Sequence, residues 1–225
     1  MTERLEEVSV VALDAHGQGV AANGPIVPGA LPGERTLVRL EGKRADLVET
    51  LNAAPERAEP ICRWFGRCGG CAAQHMSASL YRRWKRGLVV EALKREGVAV
   101  EVGDLVDAHG AGRRRATFHA RFPHGQPDEI GFMRARSHAI VAIDACPLFS
   151  PGMAGAIPAA RALSGELRGL MKPLDIGVTA TLDGLDVDLR GSGPLGRAET
   201  QKLARTADAL DLARVSNHGE IVIER

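Results

Sequence analysis

Pro60-Ile61-Cys62-Arg63-Trp64-Phe65-Gly66-Arg67-Cys68-Gly69-Gly70-Cys71-Ala72-Ala73-Gln74-His75 holds three of the four cysteines in the chain. The fourth, Cys146, stands far downstream in Asp144-Ala145-Cys146-Pro147. The spacing is therefore C-x5-C-x2-C, a gap of 74 residues, and C. Four thiols complete a tetrahedral set, and Gly69 and Gly70 let the backbone turn tightly between Cys68 and Cys71. A set of that size suits a [4Fe-4S] cluster or a structural zinc, and spacing alone does not separate the two. A metal closing so long a loop ties distant segments together where a disulfide would not survive reducing conditions. The competing reading is a Cys68–Cys71 dithiol with two ordinary buried thiols. It expects a βαβ setting that this sequence lacks.

Outside this stretch, 225 residues at 44% hydrophobic and 25% charged are enough for one large or two small cored domains. No apolar run is long enough to cross a bilayer, and the start Met1-Thr2-Glu3-Arg4-Leu5-Glu6-Glu7 is no secretory leader. A cytoplasmic protein without a membrane partner is the expectation. The net charge of +1 hides a segregation. Residues 1–61 and 173–225 are acidic on balance, whereas residues 62–95 set Arg63, Arg67, Arg82, Arg83, Lys85, Arg86, Lys94 and Arg95 against Glu91 alone. Such a patch is the footprint of a partner with a phosphate backbone, to be weighed against an ordinary solvated helix face.

Residues 8–51 read as short strands at Val8–Leu13, Gly19–Ala21, Ile26–Val27, Arg35–Leu40 and Ala45–Leu51, punctuated by glycine and proline. That pattern suggests a small barrel of OB type over residues 1–57. Asn52–Pro60 is a linker by composition, so a second domain is expected over 58–225. Ser79 is placed to cap a helix from Leu80 to Glu96, ended by Gly97. Its stripe of Tyr81, Trp84, Leu88, Val89, Ala92 and Leu93 reads most simply as core. Strands are expected at Arg113–Phe122, Glu129–Arg136 and His138–Ile143, leading into Cys146. The run Arg113, Arg114, Arg115, with Arg121, Arg134 and Arg136, adds candidates for phosphate or base stacking. Pro151–Leu170 reads as a helix, and Asp183-Gly184 signals a hairpin between Ile176–Leu182 and Leu185–Leu189. Arg197–Leu212 is a further helix with Leu203, Ala207, Leu210 and Leu212 inward, followed by a hairpin about Asn217-His218-Gly219. His75, His119 and His138 receive no role.

Cys62-x5-Cys68-Gly69-Gly70-Cys71-x2-Gln74-His75, then Tyr81-x2-Trp84-Lys85, then Cys146-Pro147-Leu148, resembles the iron–sulfur branch of the RNA uracil-5-methyltransferases. The resemblance runs from near residue 8 to the end, but members of that family are about twice this long. It implies an α+β fold: a small OB-like barrel of TRAM type, then a mixed central domain with an antiparallel sheet and an iron–sulfur site. Gly17-x-Gly19-Val20-Ala21 and Leu31-Pro32-Gly33-Glu34 carry the TRAM likeness, which implies an RNA-binding module with contacts at residues such as Arg35, Arg39, Lys43 and Arg44. It also implies a [4Fe-4S] cluster on Cys62, Cys68, Cys71 and Cys146 rather than zinc, and 23S rRNA as partner, with no protein partner inferred. In that family a cysteine thiolate adds to carbon 6 of uracil, and carbon 5 then takes the methyl of S-adenosylmethionine. All four cysteines here are assigned to the cluster, and no acidic-Gly-x-Gly loop follows a strand to hold the cofactor. The expectation is an RNA-recognition portion without a catalytic residue or the S-adenosylmethionine-binding Rossmann-like domain, inactive by itself. The alternative is a freestanding RNA-binding zinc or iron–sulfur protein.

Overall fold

A computed structural model describes residues 4–22, 24–41, 44–107 and 112–225. Lys43 and the side chain of Arg44, both expected RNA contacts, lie outside the described residues. The chain divides into two compact units, residues 1–66 with 71–107, and residues 67–70 with 108–225.

In the first unit β1 (Arg4–Leu13), β2 (Gly19–Ala21), β3 (Ile26–Val27), β4 (Arg35–Glu41) and β5 (Arg44–Asn52) form an antiparallel sheet in the order β3-β2-β1-β4-β5. The long β1 pairs with β4 through Arg4–Ser9 and with β2 through Val10–Leu13. Its register shifts between Val10 and Ala12, the kind of bulge that bends a strand and tightens its twist. The sheet curls accordingly, and its edge strands β3 and β5 lie against each other. Val10, Val27, Ala30, Val38 and Ala45 fill the inside, with Val8, Leu40 and Leu47 packed against them. The curl is tight at Gly19, where a Cβ would stand 2.8 Å from the carbonyl oxygen of Ala30.

A buried ion pair closes this unit. Glu34 accepts from the amides of Leu31 (2.8 Å) and Ala54 (3.3 Å) and from Nε and Nη2 of Arg57 (2.5 and 2.7 Å). Burial alone would raise the carboxyl pKa. The bonds to Arg57 and to the two amides outweigh it and hold the group below the usual range.

The helix α1 (Ala78–Arg95) starts two residues before Leu80. Its cap is Ser77, whose Oγ accepts from the amide of Leu80 at 3.1 Å, and Ser79 instead lies 3.0 Å from the Ser77 hydroxyl. The apolar stripe is not core, because no residue of α1 is buried. Tyr81, Val89 and Ala92 are exposed, while Trp84, Leu88 and Leu93 are half-buried. Trp84 holds the helix to the turn after β1 by donating from Nε1 to the carbonyl of Asp14 at 2.9 Å. Leu80 and Trp84 pack on Leu31, Ala54 and Met76. Residues 98–107 form no helix or strand.

The second unit is built on β6 (Arg115–Arg121), β7 (Glu129–Met133), β8 (Ile140–Val141), β9 (Leu174–Ala180), β10 (Leu185–Arg190), β11 (Arg214–Asn217) and β12 (Glu220–Glu224). They form one sheet in the order β12-β11-β10-β9-β6-β7-β8, antiparallel except for the parallel β10–β11 pair. Helices α2 (Ala156–Glu166) and α3 (Arg197–Ala209) pack against it and against each other. The expected helix over Pro151–Leu170 is a 3-10 turn at Pro151–Met153, then α2, then a second 3-10 turn at Arg168–Leu170. Alternation along the strands sends Phe118, Ile176, Val178, Val187, Leu189 and Val215 into the core with Leu163, Leu203 and Ala207 from the helices. Phe118 and Phe132 stack at 5.0 Å, and Phe149 meets both edge-on. Leu203, Ala207 and Leu212 point inward, but Leu210 does not, being 38% exposed where α3 has already ended.

Candidate nucleic-acid interface

The period of two that buries one side of β6, β9 and β10 leaves a polar face on the other. Cross-strand pairing sets that face out in rows. Arg115 stands opposite Thr179, Thr179 opposite Asp186, and Asp186 opposite Arg214. The next row runs Thr117, Gly177, Asp188 and Ser216, and the third runs His119, Asp175 and Arg190. Ion pairs of Arg214 with Asp186 at 2.5 Å and Arg190 with Asp188 at 2.7 Å knit the face, and His119 Nδ1 is hydrogen-bonded to Asp175 Oδ1 at 2.7 Å. Asp188 also accepts from Ser216 and from the amide of Gly219. Burial pushes its pKa up, but the bonds from Arg190, Ser216 and Gly219 more than reverse this.

Beyond β6 the character changes. An open cleft of about 800 Å³ is lined by Arg113, Arg115, Arg134, Arg136, His119 and His138, with Gly69 and Gly70 on one wall and no carboxylate in the lining. Arg134 and Arg136 sit on the turn after β7, where the amide of Ser137 donates to the carbonyl of Arg134 and Arg136 takes a left-handed φ of 53°. Four of the six arginines expected from residues 113–136 thus share one cleft, and Arg114 and Arg121 are not among its lining residues. Sequence reasoning gave His119, His138 and the two glycines no part in it. The polar face beside it is written in the sequence as Asp175-x-Gly177-x-Thr179 and Asp186-x-Asp188-x-Arg190, an alternation that the hairpin reading of these strands does not use.

The glycine wall belongs to the cysteine stretch. Cys68 bridges Arg134, the amide of Gly69 donates to the carbonyl of Met133 at 2.9 Å, and that of Ala135 donates to Arg67. A Cβ on Gly69 would lie 3.0 Å from the Met133 carbonyl oxygen, so glycine lets the segment lie flat on the end of β7 without pushing that backbone aside. Arg113 ties two cysteine-bearing segments together. Its Nη2 donates to Gly70 at 2.8 Å, and its backbone exchanges bonds with Leu148 and Ser150, just past Cys146.

All four cysteines are half-buried. Cys68 and Cys146 lie in the second unit, Cys62 and Cys71 in the first. The amide of Gly70 points at the Cys68 sulfur at 3.4 Å, and Gln74 Oε1 accepts from the amide of Cys62 at 3.1 Å. An amide directed at sulfur suits a thiolate ligand. Among the described residues, however, no group of three or more His, Cys, Asp or Glu side chains is gathered as a metal would require.

The basic run on α1 is partly answered by acids outside the window that made it look uncompensated. Arg83 meets Glu56 at 3.0 Å, Arg82 lies 3.8 Å from Asp107, and Arg86 donates to the carbonyl of Val102. Lys85 sits over the ring of Trp84 at 5.0 Å, and Arg63 over Trp64 at 5.2 Å.

Comparison with known proteins points to RNA methyltransferases. The chain is 39% identical over 221 residues to an uncharacterised RNA methyltransferase of Brucella suis, covering 97% of this chain and 53% of that protein. No family model matches. More specifically, it is 35% identical over 213 residues to the 23S rRNA (uracil(1939)-C(5))-methyltransferase RlmD of Salmonella typhimurium, covering 91% of this chain and 48% of that one. The fold matches that of Pyrococcus abyssi tRNA (uracil-54, C5)-methyltransferase, solved in complex with S-adenosyl-L-homocysteine. The TM-score is 0.62 at 21% identity, over 93% of this chain and 50% of that one. The chain is a homologue of the RNA uracil-5-methyltransferases, and it spans about half the length of the curated relatives it matches.

Proposed function

We propose that this chain is the RNA-recognition portion of a cytoplasmic, S-adenosylmethionine-dependent 23S rRNA uracil-5-methyltransferase, and that the cleft lined by Arg113, Arg115, Arg134 and Arg136 holds the phosphate backbone. The observation that carries this is a concave surface with four guanidinium groups and no carboxylate. Guanidinium forks match phosphate oxygens, and each ion they displace makes binding salt-dependent. Arg63, Arg67, Arg82, Arg83, Lys85 and Arg86 serve as a weaker, partly neutralised supplement, as does the OB-like TRAM-type barrel of residues 1–57 ahead of the central domain of 58–225. Similarity to methyltransferases over nearly the whole chain favours this reading over a freestanding RNA-binding metal protein.

The four cysteines are assigned to a [4Fe-4S] cluster, with zinc as the alternative. The chemistry such a centre supplies is four sulfur bonds joining remote segments. No methyl transfer is assigned to these 225 residues alone, because the attacking thiolate needs a cysteine beyond those four. RNA titrations at several salt concentrations test the cleft. Arg134→Ala with Arg136→Ala should weaken binding and flatten the salt slope by about 0.7 for each phosphate no longer held. An unchanged slope would remove the cleft from the account. Iron and sulfide analysis of anaerobically purified protein tests the cysteines. Iron lost in Cys146→Ser supports the cluster, and zinc without iron overturns it.

A further inference from the structure

A central strand position normally carries a β-branched or aromatic side chain, and glycine there weakens the strand unless something must come close. Gly177 is such a position, the middle of β9 with Thr117 and Asp188 as its cross-strand partners. Gly19 and Gly131 are demanded by the fold itself, since a Cβ would fall 2.8 Å from one carbonyl oxygen and into another. Gly177 is not: a Cβ there would meet nothing nearer than the Asp188 carbonyl oxygen at 3.7 Å, an ordinary contact. The packing of the fold therefore does not itself require glycine at this central position.

The surroundings say what kind of group fits. Gly177 is the floor of a recess of about 500 Å³, rimmed by Asp175 and Thr179 along β9 and by Thr117 and Asp188 to either side. Arg115, Arg190 and Arg214 balance Asp175, Asp186 and Asp188 around it, so it does not select for phosphate. The cleft without carboxylates does, and the two share Arg115 and Thr117. One to two strand spacings, about 5–10 Å, separate them, a distance one nucleotide spans between its base and its phosphate. No aromatic ring lines the recess, so a base would be held by its edges rather than by stacking. Asp175 is the accessible acceptor, 59% exposed and joined to His119 through one oxygen. A carboxylate only accepts, which favours bases with an amino group over uracil, whose one ring donor, N3–H, is flanked by two carbonyl oxygens.

We propose that an unpaired RNA base carrying an exocyclic amine (cytosine, adenine or guanine, but not uracil) seats over Gly177 with that amine on Asp175. This rests on reading the sheet's second face as an RNA surface. The test measures binding of labelled oligo-U, oligo-C and oligo-A RNA at low salt to the 225-residue chain, to Gly177→Val and to Asp175→Asn. Gly177→Val should melt no lower than the parent and bind oligo-C and oligo-A about tenfold more weakly. Asp175→Asn should erase the preference for oligo-C and oligo-A over oligo-U. If Gly177→Val melts early, the Asp175→Asn preference alone decides. Parent-like binding and preference in both variants overturns the base seat but not the RNA reading, and leaves this face to a protein surface. Failure of the parent to bind any of the three RNAs overturns both.

Discussion

His75 is 1% exposed, its ring centroid lies 5.4 Å from that of Phe65, and neither ring nitrogen has a hydrogen-bond partner among the described residues. Burial pulls its pKa down to about 4, with help from the Arg57 charge and against the pull of Glu34. The unfolded chain takes up this proton near pH 6.5 and the folded chain only near pH 4. Stability therefore falls as pH drops through that window, by up to about 3 kcal/mol. Thermal melts of parent and His75→Phe at pH 7 and pH 5 should show a smaller acid loss in the variant. Equal losses would contradict the assignment. Glu34 acts in the same direction at lower pH, because its depressed pKa contributes stability that disappears as pH falls through the folded value. Arg57→Ala leaves a fully buried carboxylate unpaired and should cost about 3 kcal/mol, read by urea unfolding at pH 7. Neither residue stood out as a charge pair in the sequence, since Glu34 and Arg57 lie 23 positions apart and meet only when the sheet curls.

At the scale of elements, periodicity told more. Gly19–Ala21 and Ile26–Val27 have the bounds read from the sequence, and Asp183-Gly184 does join paired strands. The failures share a cause. The stripe on α1 has helical spacing, but spacing does not say how much surface exists to cover it. The curled sheet of the first unit accepts Leu80 and Trp84 and leaves Tyr81 and Val89 outside. Likewise Ser77 displaces Ser79 as the cap because both can accept from an amide three residues on, and the Ser77 amide is fixed by donating to the carbonyl of the distant Glu56. Trp84→Ala removes the bond to Asp14 and the ring over Gly17. Circular dichroism should show α1 losing helix before the barrel melts, and a single concerted transition would speak against so local an anchor. Phe118→Ala, in the core of the sheet, should instead cost about 3–5 kcal/mol.

For the molecule as a whole, charge counted along the chain pointed at residues 62–95, whereas the surface without carboxylates lies on the second unit. Arg83 and Glu56 are distant in sequence and adjacent in space, so the window that isolated the arginines left out their partners. The cysteine spacing was legible at once, and its link to the cleft was not, because Arg113 joins Gly70 and Leu148 only through the folded sheet. Ultraviolet cross-linking of a single-stranded rRNA fragment to the chain, with the adducted peptides identified by mass spectrometry, tests the central claim most directly. Adducts should fall on peptides holding Arg113–Thr117 and Met133–His138. Adducts confined to α1 and the barrel, with none on those two segments, would contradict it.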